Sequence, residues 1–333
     1  MSALIDSDIA ISTRVRLARN YTDLPFPANM TRPQFKKLNE RIVNRLGKKE
    51  FTRLDMASLS PVERQVLVER HLASRELIDR PDGMLLLSKS ETISVMAGEE
   101  DHLRVQCVLS GLRLEEADNL SRSVDAMLSA DGFAFDPELG YLTACPTNVG
   151  TGMRASVMLH LPAMAMTGSI QSLIETVGKF GYTLRGYYGE GTRADGDMVQ
   201  ISNQVTLGLS EEEIIGNLSE VVRSIIRKER SAREALLKGD NGQLADRLNR
   251  SLGILKYARR LTTEEMMQRL SDVKLALSLG LFEGVTAADL EKLTTLCQPA
   301  SVSATLTGAS TADQRDEARA KMLRVALKDC NVF

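Results

Sequence analysis

Arginine recurs on alternating stretches through the first half of the chain. Arg14 and Arg16 lie in residues 9–20, Arg104 in 103–108, Arg154 at the head of 154–158, and Arg185 in 182–187. If these stretches are strands, a period of two puts Arg14 and Arg16 on one side. Any single arginine reads most simply as solvated, or as paired with one of the 44 acidic residues. Several guanidinium groups on one sheet face, however, repel each other unless an anion lies among them. Planar guanidinium forks pair bidentately with phosphate oxygens, so a polyphosphate fits. The chain has neither a GxxxxGK[ST] loop nor a GxGxxG turn, so a bound nucleotide would sit in an arginine cage. Its Mg²⁺ would be held mainly by phosphates and water, with no protein metal-ligand set.

Two carboxylate positions could complement such a cage. Glu99 and Glu100 precede a strand at a Gly-bearing turn, and Glu190 sits inside residues 186–197, which contain four glycines and read as a mobile loop. A carboxylate on the sheet and another on a loop could grip a cationic group and take its proton. Cys145 opens the run Cys-Pro-Thr-Asn-Val-Gly-Thr151. A lone cysteine is more often a small buried residue, but backbone N–H groups and Arg154 would favour its thiolate. No His-Asp partner lies at a recognisable spacing, which disfavours acyl transfer. His160 reads as structural, and His71 and His102 as neighbours of a nucleotide.

The elements that must position these residues change character along the chain. Residues 31–46, 62–72, 114–129 and 168–180 carry helical periodicity. Residues 84–88 and 91–97 read as a hairpin, and 198–207 as a further strand. Ser210 with Glu213 forms a capping box ahead of a long amphipathic stretch, and helix starts recur at Thr262, Thr286 and Thr311. No strand pattern follows residue 207. Mixed strands and helices, then helices alone, indicate an α+β domain over 1–230 and a helical domain over 231–333. In the second, Arg315 and Arg319 stand one turn apart; if they share a face, an anion bridging them would relieve their repulsion.

The bulk numbers exclude several classes. Hydrophobic content of 43% and charged content of 26% are ordinary for a soluble globular protein. A net charge of −2 recommends neither a nucleic-acid nor a membrane partner. Four dispersed cysteines without a CxxC pair argue against structural zinc and disulfides. The start of the chain lacks the pattern of a signal peptide, so a cytoplasmic setting is expected.

Four blocks in order resemble the phosphagen kinase family: residues 12–16, 99–104, 145–157 and 185–190. The resemblance implies a saddle-shaped antiparallel sheet flanked by helices, here followed by an all-helical C-terminal domain. Residue by residue, it implies ATP binding by Ser12, Thr13, Arg14, Val15, Arg16, His71 and Arg104. The same role extends to Arg154, Ala155, Ser156, Val157 and Met158, and to Arg185, Gly186, Tyr187, Tyr188, Gly189 and Glu190. Glu100 corresponds to the catalytic base, Glu190 to a second carboxylate on the substrate guanidinium, and Cys145 to a thiolate beside it. The early position of the first block and the helical tail resemble the bacterial, protein-directed members of the family. That implies transfer of the ATP γ-phosphoryl to exposed arginines of proteins, marking them for Clp-type proteolysis. It also implies a homodimer, a Clp ATPase/protease and a zinc-binding activator as partners, and an allosteric phosphoarginine pocket at Arg315, Asp316 and Arg319. The alternatives are a kinase of free arginine or another small guanidine, and a non-catalytic reader of phosphoarginine.

Overall fold

The computed structural model describes residues 6–47, 50–186, 195–306 and 310–332. Its strands are β1 (Ala10–Arg19), β2 (Phe51–Asp55), β3 (Met84–Ser88), β4 (Ile93–Ala97), β5 (Leu103–Ser110), β6 (Phe135–Asp136), β7 (Gly140–Tyr141), β8 (Met153–His160), β9 (Tyr182–Gly186), β10 (Met198–Asn203), β11 (Phe282–Glu283) and β12 (Asn331–Val332). Its helices are α1 (Arg32–Leu46), α2 (Pro61–Glu69), α3 (Arg75–Ile78), α4 (Leu114–Leu128), α5 (Pro162–Met166), α6 (Ile170–Gly178), α7 (Glu211–Lys238), α8 (Gln243–Tyr257), α9 (Thr263–Ser278), α10 (Ala287–Leu296), α11 (Pro299–Thr305) and α12 (Ala312–Ala326).

Eight strands form one antiparallel sheet in the order β2-β3-β4-β5-β1-β8-β10-β9. Strand alternation gives it two unlike faces. Val15, Leu17, Val105, Cys107, Ala155, Val157, Val199 and Ile201 join residues of α1, α4, α6 and α7 in one buried cluster. The opposite face is apolar only at its flanks. Leu85, Leu87 and Met96 pack under Leu67, Val68 and Leu77 of α2 and α3. Met158 and Met198 pack into the helical region of α8, α9, α10 and α12. Between those flanks the face carries the arginines, so the cover on either side becomes the wall of a cleft.

Local signals start the helices as expected. Capping boxes open α7 at Ser210, α10 at Thr286 and α12 at Thr311, and Thr262 caps α9. Three features differ from the sequence reading. Strand β2 and the small β6–β7 hairpin were not expected, because exposed edge residues blur a period of two. The β11–β12 pair places strand after residue 207, in two-residue pieces too short to leave a pattern. Third, the expected division at 230/231 falls inside α7, whose Ile225 and Ile226 pack in the sheet cluster while Leu236 reaches the helical one.

Buried polar contacts join the two regions. Glu69, at the end of α2, accepts from Ala300 N (2.7 Å), Ser301 N (2.7 Å) and Ser301 Oγ (2.8 Å) at the start of α11. On α7, Glu229 accepts from Ala163 N and Met164 N and pairs with Arg233, which reaches Asp8 and Ser278. His160 Nε2 shares a hydrogen bond with Ser271 Oγ (2.8 Å), and that hydroxyl donates to Asp197 Oδ2 (2.6 Å). Replacing Glu69 leaves two buried N–H groups without an acceptor, so Glu69→Ala is expected to lose about 3 kcal/mol. Urea unfolding measures it; a loss under about 0.5 kcal/mol would show that the contact is not a structural tie.

Candidate active site

The arginines converge because the central strands align them. Arg14 and Arg16 share a face of β1; Arg16 lies opposite Arg154 of β8, and Arg14 opposite Ser156 of β8 and Val108 of β5. Arg104 of β5 is opposite Ala18, and Arg185 of β9 is opposite Gln200 of β10. Together with Ser12, His71, Ser74, Glu76, Ser156 and Met158 they line a cleft of ≈ 280 Å³ between the sheet and α2–α3. Glu76 is the one carboxylate lining it among the described residues.

Neutral side chains hold two of these arginines among the described residues. Arg14 Nη2 donates to Gln200 Oε1 (3.1 Å), and Arg154 Nη2 to Ser202 Oγ (3.0 Å). Arg14 Nε and Arg16 Nε are buried without a hydrogen-bond partner among the described residues. Burial, reinforced by Arg154 and Arg104, lowers the Arg14 pKa to about 10. Arg16 is lowered as well, first by burial and then by Arg14, Arg104 and Arg154, against the pull of Glu99. Like charges on facing strands destabilise a sheet by roughly 0.2–1 kcal/mol per pair, and burial raises that cost. A polyanion in the cleft would remove both penalties.

Glu99 has different surroundings from its neighbour. It is buried, it accepts from Ser74 Oγ, and its Oε1 lies 2.6 Å from Arg104 Nη1. Burial pushes its pKa up against the pull of Arg104. Glu100 is half-exposed, outside the arginine-lined cleft, with Oε2 3.7 Å from Arg104 Nη2. Asp101 Oδ1 accepts from Ala144 N (2.7 Å) and Asn20 Nδ2 (2.7 Å), which fastens the turn holding Glu100 to the segment entering Cys145. Cys145 is partly exposed, with Sγ 3.0 Å from Thr147 Oγ1, at the start of the single turn Pro146–Asn148. Cys107, Cys297 and Cys330 are buried, and burial pushes the first two thiols up to about 11.

Several expected positions fall elsewhere. Thr13, Val15, Ala155 and Val157 point to the opposite face: the last three are core residues, and Thr13 bonds Gly111 O and Arg113 N. Strand alternation removes their side chains from the cleft. Gly186 is buried at the end of β9, and Tyr187, Tyr188, Gly189 and Glu190 lie outside the described residues. His102 is buried away from the cleft, with Nδ1 accepting from Tyr21 N and Nε2 facing Pro25 O. His160 is structural, as expected. Arg319 does not share an exposed face with Arg315: it is buried, and it donates to Cys297 O, Leu261 O and Asp316 Oδ1. Arg315 donates to Ser310 O, beside a groove of ≈ 580 Å³ lined by Arg259, Arg260, Lys321 and Arg324.

The sequence reading missed Gln200, Gln106 and Ser74. Gln200 ties Arg14 to Ser156, and Gln106 holds His71 O (2.8 Å). Gln200 alternates with Val199 and Ile201 in a stretch read as strand, which was the available signal. His71 itself takes a left-handed φ of 56° at the end of α2.

Residues 34–232 match the family described as "ATP:guanido phosphotransferase, C-terminal catalytic domain", and residues 241–332 match "Protein-arginine kinase McsB C-terminal domain". The protein-arginine kinase of Caldanaerobacter subterraneus subsp. tengcongensis is 47% identical over 305 residues, covering 89% of this chain and 90% of that protein. That of Halalkalibacterium halodurans is 45% identical over 330 residues, covering 97% and 93%. Among solved structures, a duplicated taurocyamine kinase from Schistosoma mansoni with bound transition-state analogue components is 25% identical (TM-score 0.63), covering 88% of this chain and 41% of that one. Lombricine kinase shares the fold at 24% identity and a TM-score of 0.60, covering 73% and 71%. Fold and cleft thus define an ATP-dependent guanidine phosphotransferase, and the chain belongs to the ATP:guanido phosphotransferase family. Within that family it is a protein-arginine kinase: it transfers phosphate from ATP to arginine side chains of proteins.

Burial, then the charge of Arg14, lowers the His71 pKa to about 4, whereas an unfolded histidine titrates near 6.5. The unfolded chain therefore takes up this proton first, and the His71 contribution to stability, present above 6.5, is lost as pH falls towards 4. NMR of the imidazole should give a midpoint below about 5, and His71→Gln should flatten the acid decline. A midpoint near 6.5 would overturn this.

Proposed function

We propose that the arginine-lined cleft holds the ATP phosphates, that Glu100 is the base for the acceptor guanidinium, and that Cys145 stands beside that guanidinium. The observation that carries this reading is the convergence of Arg14, Arg16, Arg104, Arg154 and Arg185 on one cleft. A guanidinium has a pKa above ~12 and is a poor nucleophile until a base takes a proton. Glu100 takes that proton. The freed nitrogen lone pair attacks the γ-phosphorus, and the bond to the bridging oxygen breaks with its electron pair leaving on ADP. The arginines keep donor and acceptor in line and spread the charge of the moving phosphoryl group. Glu99 suits a different role, because Arg104 and Ser74 already occupy it. Ser12, Ser156, Met158 and His71 complete the proposed nucleotide wall.

Mg²⁺ supplies further charge compensation on the phosphates when bound. A cationic lining with one carboxylate among the described residues fits an ion carried in by ATP, held by phosphates and water. Glu190 is proposed as the second carboxylate on the acceptor by family membership alone. A homodimer, a cytoplasmic setting, a Clp ATPase/protease that receives the marked proteins and a zinc-binding activator have the same support. So has the division into a catalytic and a helical unit. A phosphoarginine pocket at Arg315 and Asp316 is supported in addition by the basic groove beside Ser310. Arg319 would serve it by holding Asp316.

Glu100→Gln should lower arginine phosphorylation by roughly 10²–10⁴-fold with ATP affinity kept. Phosphorylation read by intact mass, beside calorimetry with ATP, measures both; a near-normal rate removes Glu100 as base. Arg315→Ala should abolish phosphoarginine binding without loss of the basal rate. Retained binding by calorimetry would sink the pocket assignment.

A further inference from the structure

An apolar patch with no role in the cleft lies beside the Cys145 turn. Phe135, Leu139, Val205, Leu207 and Leu209 are 38–57% exposed. Phe135, Leu139, Leu207 and Leu209 line one groove of ≈ 390 Å³, with Glu138, Gly140, Tyr141, Gly150 and Thr151 among its other walls. Exposed hydrophobic side chains gathered in one groove mark a surface that another molecule covers.

The groove is preformed. Three backbone segments stack in its floor: Tyr141 N donates to Gly150 O (2.7 Å) and Thr151 N to Thr206 O (2.9 Å). The approach needs glycine. A Cβ on Gly140 would stand 2.5 Å from Gly150 O, and one on Gly150 2.1 Å from Thr206 O, both at positive φ. Tyr141 is braced by Phe135, with ring centroids 5.2 Å apart, and by the Arg19 guanidinium 3.5 Å above its ring. The same floor continues into the proposed acceptor site. Thr206 Oγ1 lies 3.0 Å from Thr147 O and 2.6 Å from Val149 O, within the turn that begins at Cys145.

We propose that this groove binds the polypeptide on one side of the arginine to be phosphorylated, and that it selects arginines whose neighbours expose apolar side chains. The proposal rests on the reading that Cys145 marks the acceptor end. Because the acceptor belongs to a protein, a guanidinium seated there forces the adjoining substrate chain across the surrounding surface. An extended chain advances about 3.3 Å per residue, so three or four residues cover about 10–13 Å. A folded protein buries such apolar neighbours, whereas an unfolded one presents them. The groove therefore favours unfolded segments over folded domains, and the acidic Glu138 at its rim suits a basic segment.

The test uses the full chain and the variant Leu139→Asn/Leu207→Asn, with circular dichroism as a check on folding. Two arginine peptides serve as substrates, one with leucine and phenylalanine three to four residues from the arginine and one with glycine and serine there. Removing two leucine contacts should raise KM for the apolar peptide about ten-fold. The value of kcat, KM for ATP and all constants for the polar peptide should stay as in the wild type. An unchanged KM, or an equal loss on both peptides, overturns the proposal. So does a shift in sedimentation that accounts for the loss, since the groove would then join copies of this chain. Cys145→Ala separates the underlying reading: it should impair both peptides alike, and if it impairs neither, the acceptor assignment fails whatever the groove variant does.

Discussion

Mutual repulsion among guanidinium groups on one sheet face is the constraint to which the rest of the structure answers. Arg14, Arg16, Arg104 and Arg154 sit on adjacent strands, and burial together with the neighbouring guanidinium groups lowers the tendency of Arg14 and Arg16 to stay charged. A loop could relax and let them part. A hydrogen-bonded sheet cannot, because its registers are set by the buried cluster on the other face. The repulsion is therefore retained without ligand, and a phosphate bound among the arginines would offset it. Neutral partners such as Gln200 and Ser202 orient Arg14 and Arg154, and among the described residues Glu99 makes a tight carboxylate contact with Arg104 at the edge of the group.

Holding such a face together requires support from outside it. The long helix α7 spans both regions, and Glu229 with Arg233 ties it to α5, Asp8 and Ser278. On the other wall, Glu69 fixes α2, and so the backbone leading to His71, to the start of α11. The helical region thus frames the cleft from both ends. The contact of Glu69 with Ala300 and Ser301 ties the start of α11 to the helix that leads to His71 in the cleft wall.

The proposed acceptor end is organised by a different device. Asp101 joins the Glu100 turn to the segment before Cys145, and Thr206 joins the segment after it to the connection between β10 and α7. Close backbone stacking at Gly140 and Gly150 leaves an apolar groove open at the surface instead of a filled core. A small guanidine would leave such a surface uncovered, whereas a polypeptide acceptor is long enough to reach it.

By itself, the sequence determined what local physics decides. A period of two in residues 9–20 placed Arg14 and Arg16 together, and capping residues at Ser210, Thr286 and Thr311 started their helices, because both effects act within a few residues. The same period puts the side chains of Thr13, Val15, Ala155 and Val157 on the face away from the cleft. Tertiary structure alone decided the rest. Arg319 is buried because Leu261 and Cys297 carbonyls meet it from other elements, and Glu69 matters because α11 returns to it from 231 residues away. Gln200 became a site residue only when β10 docked beside β8. Such roles arise from partners distant in the chain, which no local pattern of residue types encodes.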